Sequence, residues 1–235
     1  CWVIIPPAPA TRKRRGHFTF FFFINPLLIT RTSRQAAYTF EGRNNARFWR
    51  FSVGGYFGAV SHRDVSLDVF FGVDYHSHLG TKRAGMIIFS KERGFQRQIH
   101  NVENTPFRTK FEKDLATFEG TSGIGCISDS DPQPLLVRSH LGVFALTTCG
   151  VINNADALIE EYFADHGNQF MAMSSGKVNE TELVAALINQ EDDFVSGIKH
   201  VQEKVEGSMT LLLMTEEGNI IAARDRLGRL PVLIG

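Results

Sequence analysis

Cysteine is scarce in this 235-residue sequence, and its spacing excludes two kinds of site. The three cysteines, Cys1, Cys126 and Cys149, form no Cys-x-x-Cys pair, so the sequence predicts neither a disulfide framework nor a zinc site. The eight histidines include no pair separated by three residues. We therefore expect no metal in this chain and a reducing compartment, which indicates the cytoplasm.

Acidic residues are nearly absent from the first 52 residues, which hold nine Lys and Arg but a single acid, Glu41. The whole chain has 25 charges of each sign, so residues 53–235 carry 16 basic and 24 acidic side chains. This acidic excess disfavours nucleic acid as a partner, because affinity for a phosphate backbone depends on Lys and Arg. We expect no nucleic-acid partner.

A long uninterrupted hydrophobic run is also missing. Residues 12–29 place a basic cluster before an apolar run, in the order of a signal peptide, but Asn25 and Pro26 interrupt that run. A span needs roughly 20 apolar residues. Residues 1–52 are open to three interpretations: upstream sequence translated in error before a true start at Val53, a disordered basic extension, or a targeting segment. The first is favoured, so residues 1–52 are predicted to be a non-domain extension and 53–235 the domain.

The pattern of residues 53–235 predicts blocks of strands and blocks of helices. Strands are predicted over 55–60, 85–91, 95–100, 123–129, 134–139 and 142–152, with a hairpin over 209–225. Helices are predicted over 64–80, 105–120, 154–167, 179–190 and 192–207, with caps at Asp64 in the first, Thr105 in the second and Asn179 in the fourth. Because the two kinds of element do not alternate strictly, we expect two antiparallel sheets covered by helices.

Three strings resemble one family in the same order. VGGYFG (53–58), RSHLGVFALTTCGVINNADAL (138–158) and AARDRLGRLPVLIG (222–235) are similar to the glutaminase domain of amidophosphoribosyltransferases, which are class II, N-terminal nucleophile (Ntn) glutamine amidotransferases. The resemblance implies an α+β fold of four layers, an αββα sandwich with two stacked antiparallel sheets between helices.

The same resemblance implies a phosphoribosyltransferase domain further along the chain. That domain would receive ammonia, use phosphoribosyl pyrophosphate with magnesium, and make phosphoribosylamine for purine synthesis. We expect the sequence to be truncated before it, since Gly235 precedes any pyrophosphate-binding loop. No cofactor is therefore expected in the present chain; its implied partners are its own transferase domain and further copies in a homo-oligomer.

The family nucleophile has no counterpart at the matching position. In the family a Cys followed by Gly begins the mature chain, its thiolate attacks the glutamine carboxamide, and its own α-amine is the general base. Here Gly55 matches the family glycine and Gly54 stands at the nucleophile position, with no side chain to attack. Cys1 is a poor substitute because Trp2, rather than glycine, follows it.

Other glutamine-site positions implied by the resemblance are also altered. Cys126 stands where the family has the arginine that binds the glutamine α-carboxylate, and Leu79 stands at a second arginine position. The Asn-Gly pair of the oxyanion hole, whose donors contribute about 3 to 4 kcal/mol, corresponds to Cys149 and Gly150. Glu180 corresponds loosely to the acid that holds the substrate amine, and it alone keeps a suitable charge.

These changes predict an inactive glutaminase site, for which glutamine and ammonia are doubtful ligands. Two functions stay open. The chain is either the amino-terminal part of an amidophosphoribosyltransferase, with free ammonia replacing glutamine, or a non-catalytic scaffold derived from a glutamine amidotransferase. Both Cys126 and Cys149 are expected to act as small hydrophobic side chains rather than reactive thiols.

Two further groups of residues invite a functional interpretation but are predicted to be structural. Asp74, His76 and His78 resemble a metal or acid–base cluster, yet they lie at the end of a predicted helix, where imidazole favours the helix dipole. Arg224 and Asp225 match an Arg-Asp pair of the family, and we expect an ion pair between them near the base of the hairpin.

Overall fold

The secondary structure of the domain follows the predicted order closely. The computed structural model describes residues 2–5, 20–23, 54–80, 82–129, 131–166, 173–174 and 177–235. Its strands are β1 (Trp2–Ile5), β2 (Phe20–Phe23), β3 (Gly54–Val60), β4 (Arg83–Ser90), β5 (Gly94–Asn101), β6 (Ser122–Ser128), β7 (Leu135–Ser139), β8 (Gly142–Ile152), β9 (Met173–Ser174), β10 (Lys177–Val178), β11 (Gly207–Thr215), β12 (Ile220–Arg224) and β13 (Leu233–Ile234). Its helices are α1 (Ser66–Tyr75), α2 (Phe107–Leu115), α3 (Ala155–His166), α4 (Glu180–Ile188) and α5 (Phe194–Lys204).

Two antiparallel sheets form the centre of the domain. One has the strand order β1-β12-β11-β8-β7 and the other β13-β2-β3-β6-β4-β5, while β9 and β10 form a separate short pair. Every strand pairing in these sheets is antiparallel. Hairpin loops connect β4 to β5, β7 to β8 and β11 to β12, which explains why strands occur in blocks along the sequence.

Three apolar clusters divide the domain into four layers. The inter-sheet core contains Tyr56 and Cys126 from one sheet and Leu212 from the other. The second sheet face of β3, β4 and β6 packs against α1 and α2, and the second face of β8 and β11 packs against α3, α4 and α5. This arrangement confirms the predicted αββα sandwich, in which each sheet buries one face on the other sheet and one on helices.

The first 52 residues contribute two short strands, although their sequence predicts no element. The strand β1 pairs with β12 and extends one sheet, and β2 lies between β3 and β13 in the other. Both segments are apolar runs, Trp-Val-Ile-Ile and Phe-Phe-Phe-Phe, which suits them to a sheet. The domain boundary at residue 53 stays a prediction, since residues 51–53 lie outside those described.

The starts of three helices show which capping predictions hold. Asn179 caps α4 as predicted, with its Oδ1 accepting from the Thr181 amide at 2.9 Å. The predicted cap at Thr105 is wrong, because α2 begins after Pro106 and has no side-chain cap. Helix α1 begins at Ser66 with Val65 at its N-cap position; Asp64 Oδ1 accepts from the Ser66 hydroxyl at 2.7 Å and from the Gly120 amide at 2.9 Å, so it joins the helix start to a neighbouring loop.

None of the helices in the described part of the chain combines the length and the apolar character that a bilayer span requires. The longest, α3, has 12 residues.

Candidate active site at the head of strand β3

Gly54 is the first residue of β3 and lies on the face that turns towards the other sheet. A side chain there would place its Cβ 3.7 Å from the Sγ of Cys149, a residue of β8 in the opposite sheet. The same Cβ would lie only 2.7 Å from the carbonyl oxygen of Ile127, so the backbone of β6 crowds this position. The structure thus brings two of the predicted site positions, Gly54 and Cys149, together across the sheets.

Cys149 is half-buried at the edge of the inter-sheet core, and Gly150 follows it in an unusual conformation. Burial, and then the negative charge of Asp129, raises the pKa of the Cys149 thiol well above its ordinary value. Gly150 has φ +145° and approaches β11 so closely that a Cβ would lie 2.0 Å from the Ser208 carbonyl oxygen. A protonated thiol is a weak nucleophile, so this environment does not activate Cys149 for attack.

Cys126 lies deeper than its assignment as a ligand-binding position implies. It is 3% exposed, pairs with Tyr56 across the strands and packs in the inter-sheet core. Burial raises its pKa to about 12, so it behaves as a small apolar side chain. The residue directly across from Gly54 is Ser128, two positions further along β6.

The register that identifies Ser128 could not be predicted from the sequence. Alternation places residues 122, 124, 126 and 128 on one face of β6, but it does not say which of them lies opposite Gly54. The same row continues to Arg83 on β4, which pairs with Ser128 on its other side. Sequence reasoning missed Ser128 and Arg83, and Arg83 supplies a half-buried cation at this end of the sheet.

Leu79 lies in the turn that follows α1, near the same end of β6. Its amide donates to the His76 carbonyl at 2.9 Å, and its side chain is half-buried. The next residue, Gly80, packs so tightly that a Cβ would lie 2.9 Å from the Ser128 nitrogen. The turn after α1 therefore borders the row of Gly54 and Ser128.

Glu180 is the first residue of α4 and lies beside a second acid. Its backbone amide donates to Asp131 Oδ2 at 3.3 Å. The next residue, Thr181, shares a hydrogen bond of 2.7 Å with Thr148, the neighbour of Cys149 on β8. These contacts tie the start of α4 to the strand that carries Cys149, although Thr148 and Cys149 point to opposite faces of that strand.

The suspected metal or acid–base cluster has three separate environments. The buried His76 ring bonds through Nδ1 to the Gly72 carbonyl at 2.7 Å, so this nitrogen carries the proton. Asp74 forms an ion pair of 2.5 Å with Arg108, and His78 is exposed. Among the described residues, no three His, Cys, Asp or Glu side chains are arranged so that they could hold a metal ion.

The predicted ion pair between Arg224 and Asp225 is wrong. No ion pair between described residues joins them; instead Asp225 Oδ1 accepts from the Arg229 amide at 3.2 Å. The Arg224 guanidinium lies against Gly228, where a Cβ would be 3.0 Å from its Cζ. Adjacent residues at a strand end point in opposite directions, which separates the two charges.

Comparison with known proteins shows which family this chain resembles. Residues 122–235 match the family model described as a glutamine amidotransferase domain. The chain is 23% identical over 200 residues to the amidophosphoribosyltransferase of Pasteurella multocida (strain Pm70), covering 77% of the present chain. The predicted resemblance to the glutaminase domain of amidophosphoribosyltransferases is thereby confirmed.

Two solved structures share the fold of this chain. Glutamine phosphoribosylpyrophosphate (PRPP) amidotransferase from B. subtilis, complexed with ADP and GMP, superposes with a TM-score of 0.62 at 24% identity over 74% of the chain. A structure described as the allosteric regulatory enzyme of purine biosynthesis gives a TM-score of 0.59 at 19% identity over 77%. The chain spans less than half of these relatives: 38% of the Pasteurella protein, and 37% and 44% of the two solved chains.

Proposed function

We propose that residues 53–235 are the glutaminase-like domain of an amidophosphoribosyltransferase and that the glutaminase site is inactive. The observation that carries the proposal is the glycine at the head of β3, where the family has its nucleophile. The sulfur that approaches this position belongs to Cys149, and its raised pKa keeps it protonated near neutral pH. No covalent attack on a glutamine carboxamide can start from Gly54.

The other altered positions support an inactive site. Cys126 is packed in the apolar core and Leu79 is uncharged, so neither can pair with the carboxylate of glutamine. At the oxyanion position, a thiol replaces the amide of the family, while Gly150 keeps a backbone amide. One remaining donor and one acidic residue do not replace a missing nucleophile.

Ammonia release from glutamine by the full chain tests this proposal. We expect no release above the uncatalysed background, both for the natural chain and for Gly54→Cys. The second expectation follows because a cysteine at this internal position has no free α-amine and still lacks a carboxylate partner. Turnover by the natural chain, abolished by Cys149→Ala but not by Cys126→Ala, would contradict the proposal and identify Cys149 as a nucleophile.

Two functions for the whole protein share this inactive site. The relatives are longer proteins. A transferase domain like theirs would combine PRPP with ammonia, using magnesium. We favour this enzymatic function because the matched relatives are amidophosphoribosyltransferases. Ammonia-dependent phosphoribosylamine formation by the longest product of the gene would support it, whereas absence of that activity would favour the scaffold.

A further inference from the structure

A cleft between the two sheets opens at the end of the domain opposite Gly54. The strands β3, β6 and β4 meet there in the paired row of Val60, Ser122 and Phe89. The row that contains Gly54 pairs at Ser128, six positions further along β6, which is about 20 Å of strand. The cleft has a volume of about 530 Å³, within the size range of small-molecule sites, and its lining comes from both sheets. It is therefore a different location from the candidate active site.

Two phenylalanine rings form the floor of the cleft. Phe89 of β4 and Phe95 of β5 are direct partners across the strands, and their ring centres lie 4.9 Å apart. Both pack on the inter-sheet core, yet Phe95 is only half-buried. Beside them, Gly94 leaves the cleft open, since a Cβ at this position would have no atom within 4 Å. The floor thus offers an aromatic surface to a ligand.

The Glu216 carboxylate is held in place at the opposite side of the cleft. Its Oε2 accepts from the Val143 amide at 3.2 Å, and the missing side chain of Gly142 leaves room for Oε1, which would lie 2.8 Å from a Cβ there. The turn that carries Glu216 is tied to the other sheet, because the Ser122 hydroxyl donates to the Gly218 carbonyl at 2.8 Å. The carboxylate is therefore positioned before a ligand binds, which lowers the cost of binding.

The charges that line the cleft do not cancel. Glu216 and Glu217 contribute two carboxylates and Lys91 one ammonium group, which leaves one negative charge. Among the residues that the structure describes, no ion pair includes any of the three. A cation placed over the floor would be attracted both by the carboxylates and by the faces of the aromatic rings. An anion would meet two acids.

We propose that this cleft binds a small aromatic amine. The ring of the ligand packs on Phe89 and Phe95, and its ammonium group pairs with Glu216 and Glu217. An aromatic body suits the floor because offset and edge-to-face contacts between rings add to the burial of apolar surface. A single positive charge also neutralises the lining of the cleft. The proposal does not depend on whether the glutaminase site is active.

Calorimetric titration of the full chain with 2-phenylethylamine measures this binding. We expect one molecule to bind per chain, 2-phenylethanol to bind at least about tenfold more weakly, and 3-phenylpropionate not to bind, because only the amine satisfies the carboxylates. No binding of the amine by the natural chain overturns the proposal. Binding of 3-phenylpropionate as tight as that of the amine also overturns it, since Lys91 would then be the charge that selects the ligand.

A matched pair of variants tests the contribution of the positioned carboxylate. Glu216→Gln keeps an oxygen for the Val143 amide but loses the charge, and it should weaken binding of 2-phenylethylamine by about tenfold. Glu92→Gln removes the same charge from an exposed residue of the neighbouring turn between β4 and β5, outside the lining of the cleft, and should change the affinity less than about twofold. An equal loss in the two variants contradicts a specific contact with Glu216.

Backbone amide shifts of the natural chain locate the ligand without any substitution. On titration with 2-phenylethylamine, the amides of Gly94 and Val143 should shift, while that of Gly150, which follows Cys149 beside Gly54, should not. This measurement remains decisive if Glu216→Gln fails to fold. Shifts at Gly150 as large as those at Gly94 would place the amine at the other end of the sheets and overturn the proposal.

Discussion

The inter-sheet layer has two regions that share strands but differ in what they can do. In its core, Tyr56 and Cys126 face Leu212 and are fully or almost fully buried. At its rim, Gly54 and Ser128 lie beside the half-buried Cys149. Packing in the core is intact, while the strand head at the rim carries a glycine. Under the proposed function, an amidotransferase-like fold persists without its chemistry, because stability and catalysis depend on different parts of the same strands.

Introducing an arginine into the core and, separately, into the rim should give the largest difference in unfolding free energy. Cys126→Arg places a charge in the inter-sheet core without a partner and should cost more than about 4 kcal/mol of unfolding free energy. Ser128→Arg should cost less, because Ser128, although only 7% exposed, is the last residue of β6, and a long side chain there has a shorter path to solvent. Urea unfolding of both variants measures the difference. Equal destabilisation would show that the rim is as closed as the core.

Two substitutions of Tyr56 distinguish how much its ring packing and its hydroxyl group each contribute to the stability of the core. Its hydroxyl is buried beside Thr210 without a hydrogen bond of good geometry, and burial raises its pKa far above the ordinary value. Tyr56→Ala should cost about 3 to 5 kcal/mol through the cavity it leaves, whereas Tyr56→Phe should stay within about 1 kcal/mol of the natural chain. Thermal unfolding distinguishes them. A loss of several kcal/mol in Tyr56→Phe would mean that the hydroxyl makes a structural bond.

Gly150 is the rim position where substitution by a larger residue should destabilise the chain most. Gly150→Ala should cost at least about 2 kcal/mol, because a residue other than glycine is strained at φ +145° and its Cβ would meet the Ser208 carbonyl. Gly94→Ala is a useful control, since Gly94 has φ +68° but open space around it. Chemical denaturation of the pair checks the expectation. Similar costs would assign the effect to backbone strain alone.

High pH should weaken the core through Cys126. Its pKa rises from about 9 to about 12 in the folded chain, so between these values only the unfolded chain loses the proton. Stability due to this thiol is complete below pH 9 and falls above it, by up to about 1.4 kcal/mol per pH unit. Unfolding curves at pH 8 and 11 should show a shallower loss for Cys126→Ala. An identical loss would mean that the thiol titrates normally.

Local patterns predicted the elements well because each depends on neighbours in sequence. The strand β8 and the cap at Asn179 follow from alternation and from a side chain that bonds its own helix. The cap at Thr105 was wrong because Pro106 already provides the turn into α2. The two strands in the first 52 residues were missed, since their apolar runs become strands only beside β12 and β3.

The site was less predictable because it depends on register and on contacts between sheets. The sequence alone determined that residue 54 is a glycine and that β6 contains no arginine. Only the tertiary structure decided that Ser128, rather than Cys126, lies opposite Gly54, that Cys149 approaches from the other sheet, and that Arg224 and Asp225 do not pair. The sequence determines which side chains are present at each position. The distances between side chains on strands far apart in sequence depend on how the two sheets pack.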